Sequence, residues 1–385
     1  MTKPEYTRSE GLEHAEAMGL DPHRLHRAFA CLDRDIEAGI TPGGIAVIGR
    51  RGRTITYMAG SAGTSDRPPV PVQPDTLYDC ASLTKVVVTL PLVLQLLEQG
   101  RLRLDDPVAA TFPAFAEAEP QKAAVTIRHL LTHTAGLRPY MNLHAHGWTR
   151  DEIVARVLAE PLQHEPGAQV VYSDLGYIVL GELAARAHGL PLAEAAQRHI
   201  LQPLGMRASG YRPLPPAGAP APAAAPSLIA PTEWDAAAQA FRIGAVHDEN
   251  AYAMGGVSGH AGLFATADDL SRYAAMWLGA GAAPDGTRVL APATVRAAVR
   301  SHTGALSPGH RGLGWVLAGD PFDASGDLLS RAAYGHTGFT GTSLYVDPEL
   351  ELTIVLLTNR VHYGREKSVA SLRARFHNAV AGSLI

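Results

Sequence analysis

"DCASLTKVVVTLPLVLQLLEQG", Asp79 to Gly100, opens with a polar turn and runs into an apolar segment that carries one ammonium group, Lys85, near its head. The chain has only four lysines in 385 residues, and this one stands three places after Ser82. From Leu83 onward the segment is apolar on nearly every side, which predicts a central, buried helix that stops at Gly100 and kinks at Pro91. Residues three apart share a helix face, so the Lys85 amine can reach the Ser82 hydroxyl. A serine oxygen is a poor nucleophile until a base takes its proton, and lysine acts as a base only when its pKa is pulled down. Burial among Val and Leu side chains disfavours the ammonium, which gives the expectation of a neutral Lys85. Ser-x-x-Lys alone is a weak motif, but Lys3, Lys122 and Lys367 have no serine at that spacing, so no second site of this type competes.

Upstream, "GGIAVIGRRGRTITYMAGSAG" reads as a hairpin of two β-rich runs around an Arg-Gly-Arg turn, preceded by a helix that ends near Gly39. Residues 101 to 210 read as mainly helical, including "RDEIVARVLAEPL" and "DLGYIVLGELAARAHG", the second with Asp174 as its N-cap. The Pro/Ala-rich "RPLPPAGAPAPAAAPSLIAP" reads as a surface loop rather than a linker between domains. From Tyr334, "TSLYVDPELELTIVLLTN" gives two β-rich runs around Asp347-Pro348, followed by a final helix from about Glu366. Strands at both ends with helices between them predict one catalytic unit over 1–385. Its sheet-containing lobe comes from 1–80 and 295–385, and its mostly helical lobe from 81–294. No internal repeat is visible.

Composition narrows the function. At 46% apolar residues the chain can build a sizeable core, and its net charge of −4 is small. Beyond Arg50-Arg51-Gly52-Arg53, basic residues do not cluster, which argues against a nucleic-acid or anionic-membrane partner. The two cysteines, Cys31 and Cys80, form no CxxC pair and supply no disulfide framework. The N-terminal stretch lacks a signal-type apolar core, and Val86 to Leu97 is too short to span a bilayer. A soluble, cytoplasmic protein acting on small molecules is the expectation.

Four further blocks accompany Ser82-Leu83-Thr84-Lys85: "VTIRHLLTHTAGL" (125–137), "VVYSDLGYIVLGEL" (170–183), "GGVSGHAGLFATADDLSRY" (255–273) and "YGHTGFTG" (334–341). In kind and order they resemble the superfamily of serine β-lactamases, penicillin-binding proteins and family VIII carboxylesterases, over nearly the whole chain. That superfamily carries Ser-x-x-Lys, Tyr-x-Asn and Lys/His-Thr-Gly. The resemblance implies an α/β (α+β) fold, a mainly antiparallel sheet with helices on both faces beside a helical lobe, and an active site in the groove between them. It implies Ser82 as nucleophile, Lys85 and Tyr172 as the proton-moving groups, and the backbone N–H groups of Ser82 and Phe339 as the oxyanion hole. Asp174, His336, Thr337 and Gly338 would line the substrate, His336 as a polar or partly cationic group. No cofactor or metal is implied.

Asp174 stands where β-lactamases and penicillin-binding proteins usually carry Asn. A carboxylate only accepts hydrogen bonds, and it favours the charged form of Lys85, leaving Tyr172 more of the proton transfer. That departure favours hydrolysis of small carboxylic esters over a D,D-peptidase or β-lactamase activity, with a non-catalytic binder or sensor as a further alternative. An intact Ser82, Lys85 and Tyr172 set argues against the binder.

Two decoys are set aside by context. Tyr140-Met141-Asn142 matches Tyr-x-Asn literally but follows "THTAGLRP" too early, and His302-Thr303-Gly304 follows a helix-like run rather than preceding a hairpin. An α/β-hydrolase is disfavoured because Gly256-Val257-Ser258-Gly259-His260 misses the second glycine of its elbow. His129 and His133, with His144 and His146 behind them, lack a zincin glutamate and read as packing groups. His247 and His260 read as structural. Arg360 fits a cleft position facing a substrate carboxylate and an ion-paired surface position equally well.

Overall fold

In the computed structural model, residues 6–385 are described apart from 64–68, 118, 216–227, 305 and 307–308. Most of the Pro/Ala-rich stretch lies outside the described residues. Seven strands form one antiparallel sheet in the spatial order Thr7–Glu10, Arg53–Gly60, Gly43–Arg50, Leu352–Thr358, Ser343–Asp347, Tyr334–Thr337 and Val316–Leu317. The hairpin read from the sequence pairs Arg50 with Arg53 across Arg51-Gly52, both with positive φ. The two ends of the chain meet where Gly43–Arg50 pairs with Leu352–Thr358.

Both faces of the sheet are covered because its central strands are apolar on both sides. Ala46, Ile48, Ile354 and Leu356 pack with Leu25, Phe29, Phe376 and Val380 from the helices Pro22–Glu37 and Ala370–Ala381. Ile45, Val47, Val355 and Leu357, one residue out of phase, belong to the larger core on the other face, with Val86, Leu90 and Tyr273. That alternation is the two-residue period of a strand. The helix Ala267–Leu278, assigned from sequence to the helical lobe, packs on this sheet face. The final helix starts at Ala370 rather than Glu366, because Glu366 to Val369 form part of the cleft wall.

The segment after Ser82 is helical to Glu98, with Gly100 at φ 66° beyond its end. Ahead of Pro91 it is a π-turn, Lys85–Thr89, in which the Leu90 N–H reaches the Lys85 carbonyl. Pro91 offers no N–H to the carbonyl four residues before it, and the ladder there widens by one residue. Among the described residues no helix is long and apolar enough to cross a membrane.

Candidate active site

The turn that presents Ser82 is built by Asp79. The Asp79 carboxylate accepts from the N–H groups of Ala81 (2.8 Å) and His247 (2.6 Å), and its carbonyl accepts from the Thr340 hydroxyl at 2.7 Å. These bonds hold Ala81 at φ 46°, a left-handed conformation that costs a non-glycine residue about 1 kcal/mol or more. Gly338 closes against the same turn: a Cβ there would stand 2.1 Å from Thr342 Oγ1 and 2.5 Å from the Cys80 carbonyl oxygen. The glycine of the third motif is thus required by backbone approach.

Lys85 is fully buried behind Ser82. Its Nζ donates to Ser82 Oγ at 2.8 Å and to the His260 carbonyl at 3.2 Å, and pairs with Asp174 Oδ1 at 2.8 Å. The ammonium thus makes two hydrogen bonds and one ion pair. The Tyr172 ring centroid lies 4.9 Å from the same nitrogen. Burial alone would lower the lysine pKa, but the Asp174 carboxylate and the Tyr172 phenol outweigh it and raise the pKa above the ordinary lysine value. Of the two opposed readings of Lys85, neutral by burial and charged by the Asp174 carboxylate, the second holds and the first is corrected.

Asp174 is also not the N-cap expected of it. Ser173 is the N-cap of the helix Asp174–His188, without a side-chain capping bond, and its hydroxyl donates to the Arg138 carbonyl at 2.6 Å. Asp174 opens the first turn and spends its charge on Lys85.

His336, on the strand Tyr334–Thr337, is buried with Nδ1 2.8 Å from the Thr337 carbonyl. A carbonyl only accepts, so Nδ1 carries the proton and Nε2 is a bare lone pair with no hydrogen-bond partner among the described residues. Burial, then the charges of Lys85 and Arg311, press its pKa down to about 3. His336 is neutral, which corrects the partly cationic role expected for it.

Ser82, Tyr172, Asp174, His336, Thr337, Gly338 and Phe339 line one cavity of about 830 Å³. That size suits a small ligand. Among the described residues, no protein acceptor meets the N–H of Ser82 or of Phe339. Half-exposed Phe339 lies under the Arg360 guanidinium (4.5 Å) and stacks near His247. Arg360 thus faces the cleft, with Nη1 on the Arg365 and Lys367 carbonyls.

The decoys fall elsewhere. Tyr140 lines the cavity mouth, 3.5 Å from His144 Nδ1, while His302 sits beyond the helix Pro292–Val299 with its ring on Arg128 and the Ala297 carbonyl. His129 and His133 do not come together as ligands: His129 caps a helix at Thr126, and His133 accepts from the Ser173 N–H at 3.1 Å. One ligand atom each from Asp174, Asp248 and His260 lie within 4.8 Å of one another. Lys85 already pairs with that Asp174, and His260 Nε2 with Asp248 at 2.9 Å.

Sequence reading missed Asp79 and Arg311. Arg311 is buried, pairs with Asp320 at 3.0 Å, and carries its guanidinium between the rings of Tyr172 (5.9 Å) and Phe322 (5.2 Å). What ties either residue to the site lies far along the chain: His247 and Thr340 for Asp79, and the Tyr172 ring for Arg311.

A serine held by a buried lysine at the edge of an antiparallel sheet, facing a cleft with two free backbone donors, defines a serine-hydrolase architecture. The chain belongs to the β-lactamase family, whose model matches residues 30–379. A protein of Escherichia coli (strain K12) described as "Putative D-alanyl-D-alanine carboxypeptidase" is 31% identical, the match covering 90% of this chain and 85% of that protein. An N-acetylmuramyl-L-alanine amidase of Bacillus subtilis (strain 168) is 30% identical, over 91% of this chain and 84% of the relative. Among solved structures, EstCE1, a hydrolase with promiscuous acyltransferase activity, superposes with a TM-score of 0.73 at 25% identity, covering 94% of this chain and 99% of that one. A penicillin-binding protein homolog from Caulobacter crescentus, at 24% identity, shares the fold with a TM-score of 0.71 over 95% and 99%.

Proposed function

We propose that this serine β-lactamase-family hydrolase acts on small carboxylic esters through an acyl-enzyme. The observation that carries the reading is the Ser82–Lys85–Asp174 chain of contacts, 2.8 Å at each link. Ser82 Oγ attacks the ester carbonyl, and the carbonyl oxygen takes up negative charge between the N–H groups of Ser82 and Phe339. The Tyr172 hydroxyl accepts the Ser82 proton and passes its own to the departing alkoxide, and the reverse relay activates water for deacylation. Lys85, ion-paired with Asp174, orients Ser82 Oγ and stabilises charge rather than taking the proton.

Two features favour an ester over a β-lactam or a peptidoglycan peptide. Asp174 has no hydrogen to donate to a substrate amide carbonyl, and neutral His336 gives the third motif no cation for a substrate carboxylate. The similarity to the E. coli relative supports a second reading, a D,D-peptidase. A cytoplasmic location belongs to the same proposal, and cell fractionation tests it. Steady-state hydrolysis of p-nitrophenyl butyrate, a chromogenic cephalosporin and an acylated D-alanyl-D-alanine peptide, by wild type and Ser82→Ala, separates the readings. Turnover of the ester alone, abolished in Ser82→Ala, is expected. Turnover of the peptide alone would replace the esterase with the peptidase, and acylation without turnover would favour a binder.

A further inference from the structure

Arg373, in the last helix, lies outside the three motifs, yet its guanidinium is buried against the loop that carries Phe339. Nη2 donates to the carbonyl oxygens of Gly338 at 3.0 Å and Thr342 at 2.8 Å. The Gly338 carbonyl belongs to the same peptide unit as the Phe339 N–H. A donor on the oxygen of an amide draws electron density through it and makes its N–H a stronger donor, and a charged donor does so more than a neutral one. The Gly341 N–H bonds the same carbonyl at 3.1 Å, and the Gly338 N–H bonds the Thr342 carbonyl at 2.8 Å, so the loop is fixed on both sides of the peptide.

The other donor peptide is treated alike. The Ala81 carbonyl, paired through its amide with the Ser82 N–H, accepts from the Thr84 hydroxyl at 2.7 Å and the Thr84 N–H at 3.0 Å. Both peptides thus have their oxygens engaged, while among the described residues no protein acceptor meets their N–H groups and both Ser82 and Phe339 line the cavity. Only the Phe339 peptide has a cation on it. Arg373 makes these contacts at a cost: its Nε has no hydrogen-bond partner, and burial presses the guanidinium pKa down to about 10.

We infer that Arg373 is a positioning residue of the reaction, which holds and polarises the Gly338–Phe339 peptide so that its N–H binds the oxyanion. The inference rests on the proposed oxyanion hole and adds a group that the three motifs do not contain. It predicts an effect on the tetrahedral intermediate rather than on substrate binding.

A pair of substrates differing only at the carbonyl tests it: 4-nitrophenyl butyrate and its thiono analogue, whose sulfur is a poor acceptor for oxyanion-hole donors. The readout is the ratio of kcat/KM for the oxo ester to that for the thiono ester, which an inactive fraction of enzyme cannot alter. Wild type is expected to favour the oxo ester strongly. Arg373→Met, which keeps the apolar stem, lowers that ratio roughly tenfold, with kcat falling more than KM changes. Should this variant yield no active protein, Arg373→Gln, which keeps a polar tip without charge, lowers the ratio in the same direction. Equal slowing of both esters in either variant overturns the inference and leaves Arg373 a packing residue. A wild type without oxo preference overturns the oxyanion hole itself, whereas a preference that survives substitution sinks only the role of Arg373.

Discussion

Among the described residues two lysine side chains are completely buried, and their pKa values are displaced in opposite directions. Lys85 meets the Asp174 carboxylate at 2.8 Å, and its pKa rises. Lys122 donates instead to the carbonyls of Leu158 and Glu160 and lies 4.0 Å from the centre of the Phe115 ring. There burial dominates the more distant attraction of Glu119 and Glu160, and the pKa falls to about 8. Burial is common to both; the nearest carboxylate decides. The lysine with the more base-like pKa is far from any nucleophile, while the one beside the serine is held charged. Lys85 therefore acts as a fixed cation that aligns Ser82, and the proton path runs through Tyr172.

Replacing each lysine by the nearly isosteric methionine should separate the two most sharply. Lys85→Met is expected to lower kcat/KM for p-nitrophenyl butyrate by about 10³-fold or more, because Ser82 loses its positioning donor and Asp174 is left a partly buried, unpaired charge. Lys122→Met is expected to stay within about threefold of wild type in activity. Comparable losses in both would break the comparison, since only a global effect on the fold could reach the two sites alike.

The sequence carried the fold further than it carried the electrostatics. The β-rich runs at Ile45 to Ile48 and at Leu352 to Leu357, with the Arg51-Gly52 turn, were enough to read the sheet, because those signals are local. The two His-Thr-Gly triplets separated for the same reason: Tyr334–Thr337 leads into a strand hairpin, and His302 follows a helix. Protonation states were legible only in part: the pull of Asp174 on Lys85 could be read, but not that it outweighs burial. Whether Lys85 keeps its proton depends on a carboxylate 89 positions away, and whether His336 does depends on its burial and then on the charges of Lys85 and Arg311. Arg373 is invisible for a similar reason, since its partners are backbone carbonyls and carry no residue-type signature. Asp174 was misread as a cap because an acid at a helix start usually serves the helix, and here it serves a neighbour.

The second expected effect is on stability and concerns Lys122. Its folded pKa of about 8 lies below the ordinary lysine value, so between pH 8 and about 10.5 the unfolded chain binds more protons at this position than the folded one. By that linkage Lys122 contributes a stability increment that grows as pH rises through this window, at most about 3 kcal/mol. Other groups shift the absolute curve, so the informative quantity is the wild type minus Lys122→Met difference in unfolding free energy from urea titrations at pH 7.5, 9 and 10.5. It should move in favour of wild type as pH rises. A difference independent of pH would mean that Lys122, like Lys85, stays charged.

The smallest effect sharpens the comparison most, because it turns one lysine towards the other. Asp174→Asn keeps the side-chain shape and removes the charge that holds Lys85 protonated. With that attraction gone, burial acts on Lys85 as it does on Lys122, and its pKa falls. Ester hydrolysis near pH 7 is expected to drop about tenfold, since the substituted amide no longer anchors the ammonium. Activity should then recover as pH rises and the lysine loses its proton, because a neutral amine 2.8 Å from Ser82 Oγ is positioned to act as the base that wild type lacks. Wild type should show no such limb at neutral to mildly alkaline pH, its Lys85 pKa being raised. A variant profile as flat as that of wild type would show that Asp174 does not set the state of Lys85, and the contrast between the two buried lysines would then have to be traced to Tyr172 alone.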